Sequence, residues 1–331
     1  MTAPGGGPRP VDRYLLPVAW AGLTVGASFL ASVLTGGLAG STLPVLVGIT
    51  VTRSGMDIAG VACVGLTLLG ALLPQARALP GRALRDLIRV RTTADRSLVL
   101  LAATWLALVL VGILFRVASA FGRPVAELTG GEVVEWATEL AAGRGTVLTA
   151  GCAAVVLGCA VARLHDRNLV QVRIPMVAAL LGLITPGVTG HTGSASDHDL
   201  AVISVGAHAG AAALWVGGLG AVLVLVARHR PLLDAVLPRF SRLAGLCVVT
   251  ITLTGLLSAQ FGLGSWAALV STGYGRLVLA KAGCLVVLAC LGGLARRRLA
   301  AGRTPVLRWA GLETALMAVT LGLAAALSQA A

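Results

Sequence analysis

The sequence predicts an all-α integral membrane protein, a bundle of about nine transmembrane helices, and three observations carry that prediction. Of 331 residues, 57% are hydrophobic and 12% are charged, where a soluble domain carries roughly 25% charged residues. The apolar residues gather into runs long enough to cross ~30 Å of hydrocarbon as helices. The basic residues fall in alternate connections between those runs, the signature of a chain whose positive loops stay on the cytoplasmic side.

The apolar cores are read at 15–35, 57–74, 98–118, 145–162, 174–189, 201–227, 243–260, 275–294 and 308–328, and the second helix begins as early as Pro44. Arg9 and Arg13 precede the first run. Its length exceeds the ~7–15 residues of a signal-peptide core, so it is read as a retained helix. With the N-terminus cytoplasmic, twenty of the 26 basic residues lie on the inner side, in the tail 1–14 and in the loops around Arg77–Arg96, Arg163–Arg173, Arg228–Arg242 and Arg296–Arg308. The six others (Arg53, Arg116, Arg123, Arg144, Arg276 and Lys281) share the outer side with seven acids, Asp57, Glu127, Glu132, Glu135, Glu139, Asp197 and Asp199. The net charge of +13 therefore records topology, and no basic face suggests nucleic acid. On this layout the C-terminus is extracytoplasmic, residues 15–188 form an N-terminal membrane region of about five helices, and residues 189–331 form a second region of about four.

The longest outer loop, 120–144, contains TGGEVVEWATELAAG. It reads as a short helix capped by Thr129 that lies at the interface through Val133, Trp136 and Leu140, with Glu132, Glu135 and Glu139 on its other face. The six cysteines all fall in apolar runs, so a disulfide framework is not expected. Cys152 and Cys159, seven residues apart, share a helix face.

Chemistry concentrates in TGHTGSASDHDLAVISVGAHAGAAALWVGG, residues 189–218. His191, Asp197, His198 and Asp199 occupy the outer loop between the fifth and sixth helices, and His208 lies about two turns down the sixth. Imidazole and carboxylate suit divalent transition metals, while Cu(I) takes imidazole with softer ligands. The spacing matches no tight zinc signature. His208 is the strongest member, because an ionisable residue at membrane depth marks a functional site by default. The alternative for His208 is a histidine hydrogen-bonded to a neighbouring helix. Ser204, His208 and Trp215 share a face, and Gly206, Gly210, Gly217 and Gly218 allow close backbone approach. Met56 and Asp57 add a thioether and a carboxylate on the outer side, unless Asp57 pairs with Arg53. Lys281 is read as an anchor near the outer end of the eighth helix. Glu313 is read as pairing with Arg242 near the inner face. His165 and His229 belong to arginine-rich inner loops and are read as solvated. No catalytic constellation is seen, and no enzyme is expected.

The motifs GHTGSASDHDLAVISVGAHAGAAALWVGGL, LPRFSRLA, GSWAALVSTGYGRLVLAKAG and ARRR, with GRPVAEL and GRGTVLTAGCA upstream, resemble the copper-resistance protein D (CopD/PcoD) family in its actinobacterial form. The resemblance implies a multi-pass protein of the cytoplasmic membrane that handles copper ions, often beside an extracytoplasmic CopC-type copper-binding protein. It implies His191, His198 and His208 as copper-interacting residues, and Trp215, Arg276, Lys281 and Glu313 as recurring positions. Relatives often continue into a cytochrome c oxidase assembly domain, which is not expected in this chain. The function expected is copper movement across the membrane, inward, without ATP, since no Walker motif occurs. Two other readings stay open: a b-type haem redox protein, which would need a second histidine opposite His208, and a copper-binding sensor or assembly subunit that does not transport.

Overall fold

The computed structural model describes residues 43–189 and 198–262, with isolated helical positions at Leu279, Ala282, Gly283, Val286, Val287, Cys290 and Leu294. Every regular element among the described residues is helical. The α-helices are α1 (Leu43–Leu72), α2 (Gly81–Phe121), the short helix α3 (Gly130–Glu139), α4 (Ala141–His165), α5 (Arg173–Thr189), α6 (His198–Ala221) and α7 (Arg230–Gly262), with short 3-10 turns at Ala76–Ala78 and Val125–Glu127 and a π-helical turn at Val222–Val226. Five of them are long and apolar enough to cross a membrane, and α5 is a shorter apolar helix. These six correspond to the second through seventh predicted spans. The first and ninth lie outside the described residues, and the isolated positions fall inside the eighth.

The helices outrun their apolar cores. α2 begins at Gly81 rather than near 98, so Arg82, Arg85, Arg89, Arg91 and Arg96 lie on a helical extension, not in a loop. Arg53 and Arg116, counted above with the outer-side charges, are inside α1 and α2. Hydropathy reports where lipid begins, whereas the backbone ladder continues wherever i→i−4 bonds can close.

Large apolar side chains point outward along the helices: Leu100 and Leu110 on α2, Leu148 and Val155 on α4, Leu246, Val249 and Leu256 on α7. A bilayer covers such a surface, whereas in water it would be an extended sticky patch. The interior runs on small residues. α1 packs antiparallel to α2, with Gly48 against Phe115, Gly55 against Leu108 and Gly60 against Trp105. At the α1–α6 crossing, a Cβ on Gly65 would run into the Gly217 carbonyl, and one on Gly217 into the Val61 carbonyl. Gly218 receives Phe240 and Leu68. The close approach expected of Gly217 and Gly218 is therefore present, and Gly65 is its partner.

Pro186 interrupts the ladder of α5, since it has no N–H for the carbonyl of Gly182. The Thr149 hydroxyl from α4 shares its proton between that carbonyl at 3.1 Å and the Gly145 carbonyl of its own helix at 3.0 Å, and thereby links α4 to α5. In the first half of α2, the Asp95 side chain is 8% exposed and holds Arg167 at 2.6 Å and Arg163 at 3.4 Å. Arg239 donates to the Leu72 carbonyl that ends α1, and His229 pairs with Asp86 at 3.4 Å. The expectation of a merely solvated His229 is corrected: it ties the α6–α7 turn to α2. His165, at the end of α4, is exposed as expected.

Between α2 and α4, Thr129 caps α3 reciprocally with Glu132, as its sequence predicts. Trp136 is buried, its carbonyl close against Gly143 of α4. Leu140 is exposed and sits at the junction where α3 ends and α4 begins. The thiols of Cys63, Cys152, Cys159, Cys247 and Cys290 are free.

Candidate functional site

His208 sits halfway along α6 and faces α7. Its Nδ1 lies 2.9 Å from the Thr254 hydroxyl, and its Cε1 lies over Gly255. The Thr254 hydroxyl has one proton, and the 2.6 Å contact with the Thr250 carbonyl takes it. With that proton on the Thr250 carbonyl, the hydroxyl accepts from His208, and the neutral imidazole carries its proton on Nδ1. One turn above, the Ser204 hydroxyl donates to the Thr254 carbonyl at 3.2 Å. Ser204 and Thr254 are both buried, so two side chains of α6 converge on one residue of α7.

The shared face of Ser204, His208 and Trp215 is thus realised, with Trp215 buried in the core below. Thr254 is the residue that sequence reading missed. It sits in the apolar stretch VTITLTG, 46 positions from His208, and its only signal is its depth, eight residues from the outer end of α7.

The remaining candidates separate. His198 and Asp199 open α6, which puts the His198 backbone ten residues, or ~15 Å, above His208. Two imidazoles reaching ~5 Å each, with metal–nitrogen bonds of ~2 Å, bridge at most about 14 Å. His198 and His208 are therefore too far apart along one helix to ligate the same ion. His191 and Asp197 lie outside the described residues, as do Lys281 and Glu313.

Met56 is nine residues above Gly65, as His208 is above Gly217, so helical rise places them at similar depth. Nine residues is also two and a half turns, which turns both away from the α1–α6 crossing: Met56 is buried against Gly112 of α2, and His208 against α7. Asp57 pairs with Arg53, Oδ2 to Nε 3.2 Å, which is the pairing alternative given for it above. Among the described residues no three His, Cys, Asp or Glu side chains gather as a metal cage.

The class defined by fold and site is a multi-pass helical membrane protein with a tautomer-fixed histidine between two of its spans. Comparison with known proteins adds the family. Residues 234–327 match the family Copper resistance protein D (CopD); the match takes in most of α7 and with it Thr254. The chain is also similar to the copper transport protein CutJ of Bacillus subtilis (strain 168), 30% identical over 139 residues, which cover 39% of this chain and 26% of that protein. The chain thus matches about a quarter of the length of that curated relative. No solved structure matches.

Proposed function

We propose that this protein handles copper and passes copper ions inward across the cytoplasmic membrane. The observation that carries the reading is His208: an imidazole inside the bundle, held by Thr254 in the tautomer whose Nε2 bears the lone pair, in a chain with a CopD segment. Neutral imidazole is a ligand for copper.

The outer residues His191 and His198, with Asp197 or Asp199, receive the ion from solvent or from a CopC-type carrier protein. Because His198 stands ~15 Å above His208, the ion moves between them by handover. Exchange from site to site needs each site to hold the ion weakly enough to release it. At His208 the described residues form no closed cage of three or four ligands, which suits that requirement. The driving force is a gradient or delivery by the partner.

The test is copper flux into proteoliposomes containing wild type or His208→Ala, under reducing and oxidising conditions. Flux that depends on His208 is expected. Equal flux in the two proteins would remove His208 from the path, and copper binding without flux would favour a sensor or assembly role.

A further inference from the structure

A second polar centre lies in the outer half of the bundle, away from His208. Arg53 and Asp57 of α1, Arg116 of α2 and Thr146 of α4 meet there. Gly48 packs on Phe115, so Arg116 stands level with the start of α1, and Arg53 is about six residues, or ~9 Å, deeper. Side chains lean toward the N-terminus of their own helix. α2 begins inside and α1 outside, so Arg116 leans inward and Arg53 outward, and the two guanidinium groups converge.

Their charges do not balance. Arginine stays protonated in proteins, and these two share one carboxylate. Asp57 bonds Arg53 through one oxygen at 3.2 Å. Arg116 is within Coulombic range of both, yet among the described residues no carboxylate forms an ion pair with it. Its hydrogen bond goes to the Thr146 hydroxyl at 3.2 Å, and that hydroxyl donates its own proton to the Ala142 carbonyl at 2.8 Å. Thr146 can therefore only accept from Arg116. Every group at the centre except Asp57 is thus set to donate or already satisfied, and a net positive charge is left at the edge of the hydrocarbon, where an unpaired ion is costly. The side chains of Arg53 and Asp57 are 15% and 27% exposed, so the centre is reachable.

We propose that Arg116 and Arg53 form an oxyanion site on the outer side of the bundle, built for a phosphate-type group that completes the charge balance which Asp57 leaves half done. Two planar guanidinium groups within Coulombic range of each other offer the paired N–H donors that phosphate oxygens take. The same chemistry is offered by the phosphodiester of an outer-leaflet lipid and by free inorganic phosphate.

The test uses the full chain in a neutral maltoside detergent and in nanodiscs. Thermal unfolding is followed with inorganic phosphate titrated against chloride at constant ionic strength, and in phosphatidylcholine discs with or without phosphatidylglycerol. A rise of ~2–4 °C in the midpoint is expected in at least one arm. It should be absent in Arg116→Gln, reduced in Arg116→Lys and kept in His208→Ala. A rise with phosphatidylglycerol alone assigns the site to lipid, and a rise with phosphate assigns it to the free ion. Wild type that responds in neither arm overturns the proposal, as does a rise of equal size in Arg116→Gln.

Discussion

Replacing Thr254 by Val tests the His208 site without touching the histidine. Valine keeps the volume of threonine and exchanges the hydroxyl for a methyl, so no cavity opens. The Ser204 contact goes to the backbone carbonyl of residue 254 and survives. What is lost is the acceptor 2.9 Å from Nδ1, leaving a half-buried N–H without its partner, at about 1–3 kcal/mol. The imidazole is then free to protonate either nitrogen and to turn. Loss of such an orienting partner weakens metal binding by roughly 10–100-fold, or ~1.4–2.8 kcal/mol. The assay is copper affinity of the solubilised full chain, by competition with a chromophoric chelator, for wild type, Thr254→Val, Thr254→Ser and His208→Ala. Serine restores the acceptor and should bind nearly as wild type does. If His208→Ala abolishes binding while Thr254→Val binds at wild-type strength, the tautomer argument is wrong even though the histidine matters.

Other predictions concern the scaffold. Gly217→Leu drives a side chain into the Val61 carbonyl and Gly65; overpacking costs ~1–3 kcal/mol or more when neighbours can yield, and backbone yields least, so folded yield in detergent should collapse, while Gly220→Leu, with open space around it, should express normally. Thr149→Val leaves the Gly182 carbonyl without its donor, and a stability loss of ~1–3 kcal/mol is expected by thermal unfolding; an unchanged midpoint would show that another group satisfies that carbonyl. Asp95→Asn removes the carboxylate shared by Arg163 and Arg167 and should cost ~3 kcal/mol, whereas restoring charge with Asp95→Glu should recover part of it. The Thr129 backbone N–H, then the Thr129 hydroxyl, hold the Glu132 carboxyl below its usual value. Its contribution to the α3 cap is therefore complete above the unfolded-state value near 4.5 and lost as pH falls through the lower folded value. Amide exchange in residues 130–139 should quicken only in acid, and Glu132→Gln should exchange quickly at neutral pH as well.

Local chemistry made much of this architecture legible. Thr129 and Glu132 stand three apart ahead of an amphipathic stretch, which is enough to place α3 and its cap. Gly217 and Gly218 announced a close crossing because a residue without Cβ inside an apolar span has few other uses. Arg53 and Asp57 are four apart, so their pairing needs only one helix. The partners that stayed hidden are the ones brought together by the fold. Thr254 looks like any back-bonded threonine of a membrane helix until α6 sets His208 beside it. Arg116 met Thr146, and His229 met Asp86, across distances in sequence that no period encodes. The true lengths of α1 and α2 were also hidden, because arginine-rich turns read as loops while remaining good helix.

The Gly65–Gly217 contact also limits how this bundle can move. Sliding α6 one turn along α1 would bring the side chain of Ala213 or Ala221 to the place where even a methyl meets carbonyl oxygen, so translation along the contact is blocked. Rotating α6 toward Val216 swings a side chain into the same spot, whereas rotation toward Gly218 does not. A change of crossing angle keeps Gly65 and Gly217 in register. The crossing then acts as a rivet, and any opening that lets solvent down toward His208, thirteen or so ångströms above it, is a scissoring of the outer arms whose inner arms must close in answer.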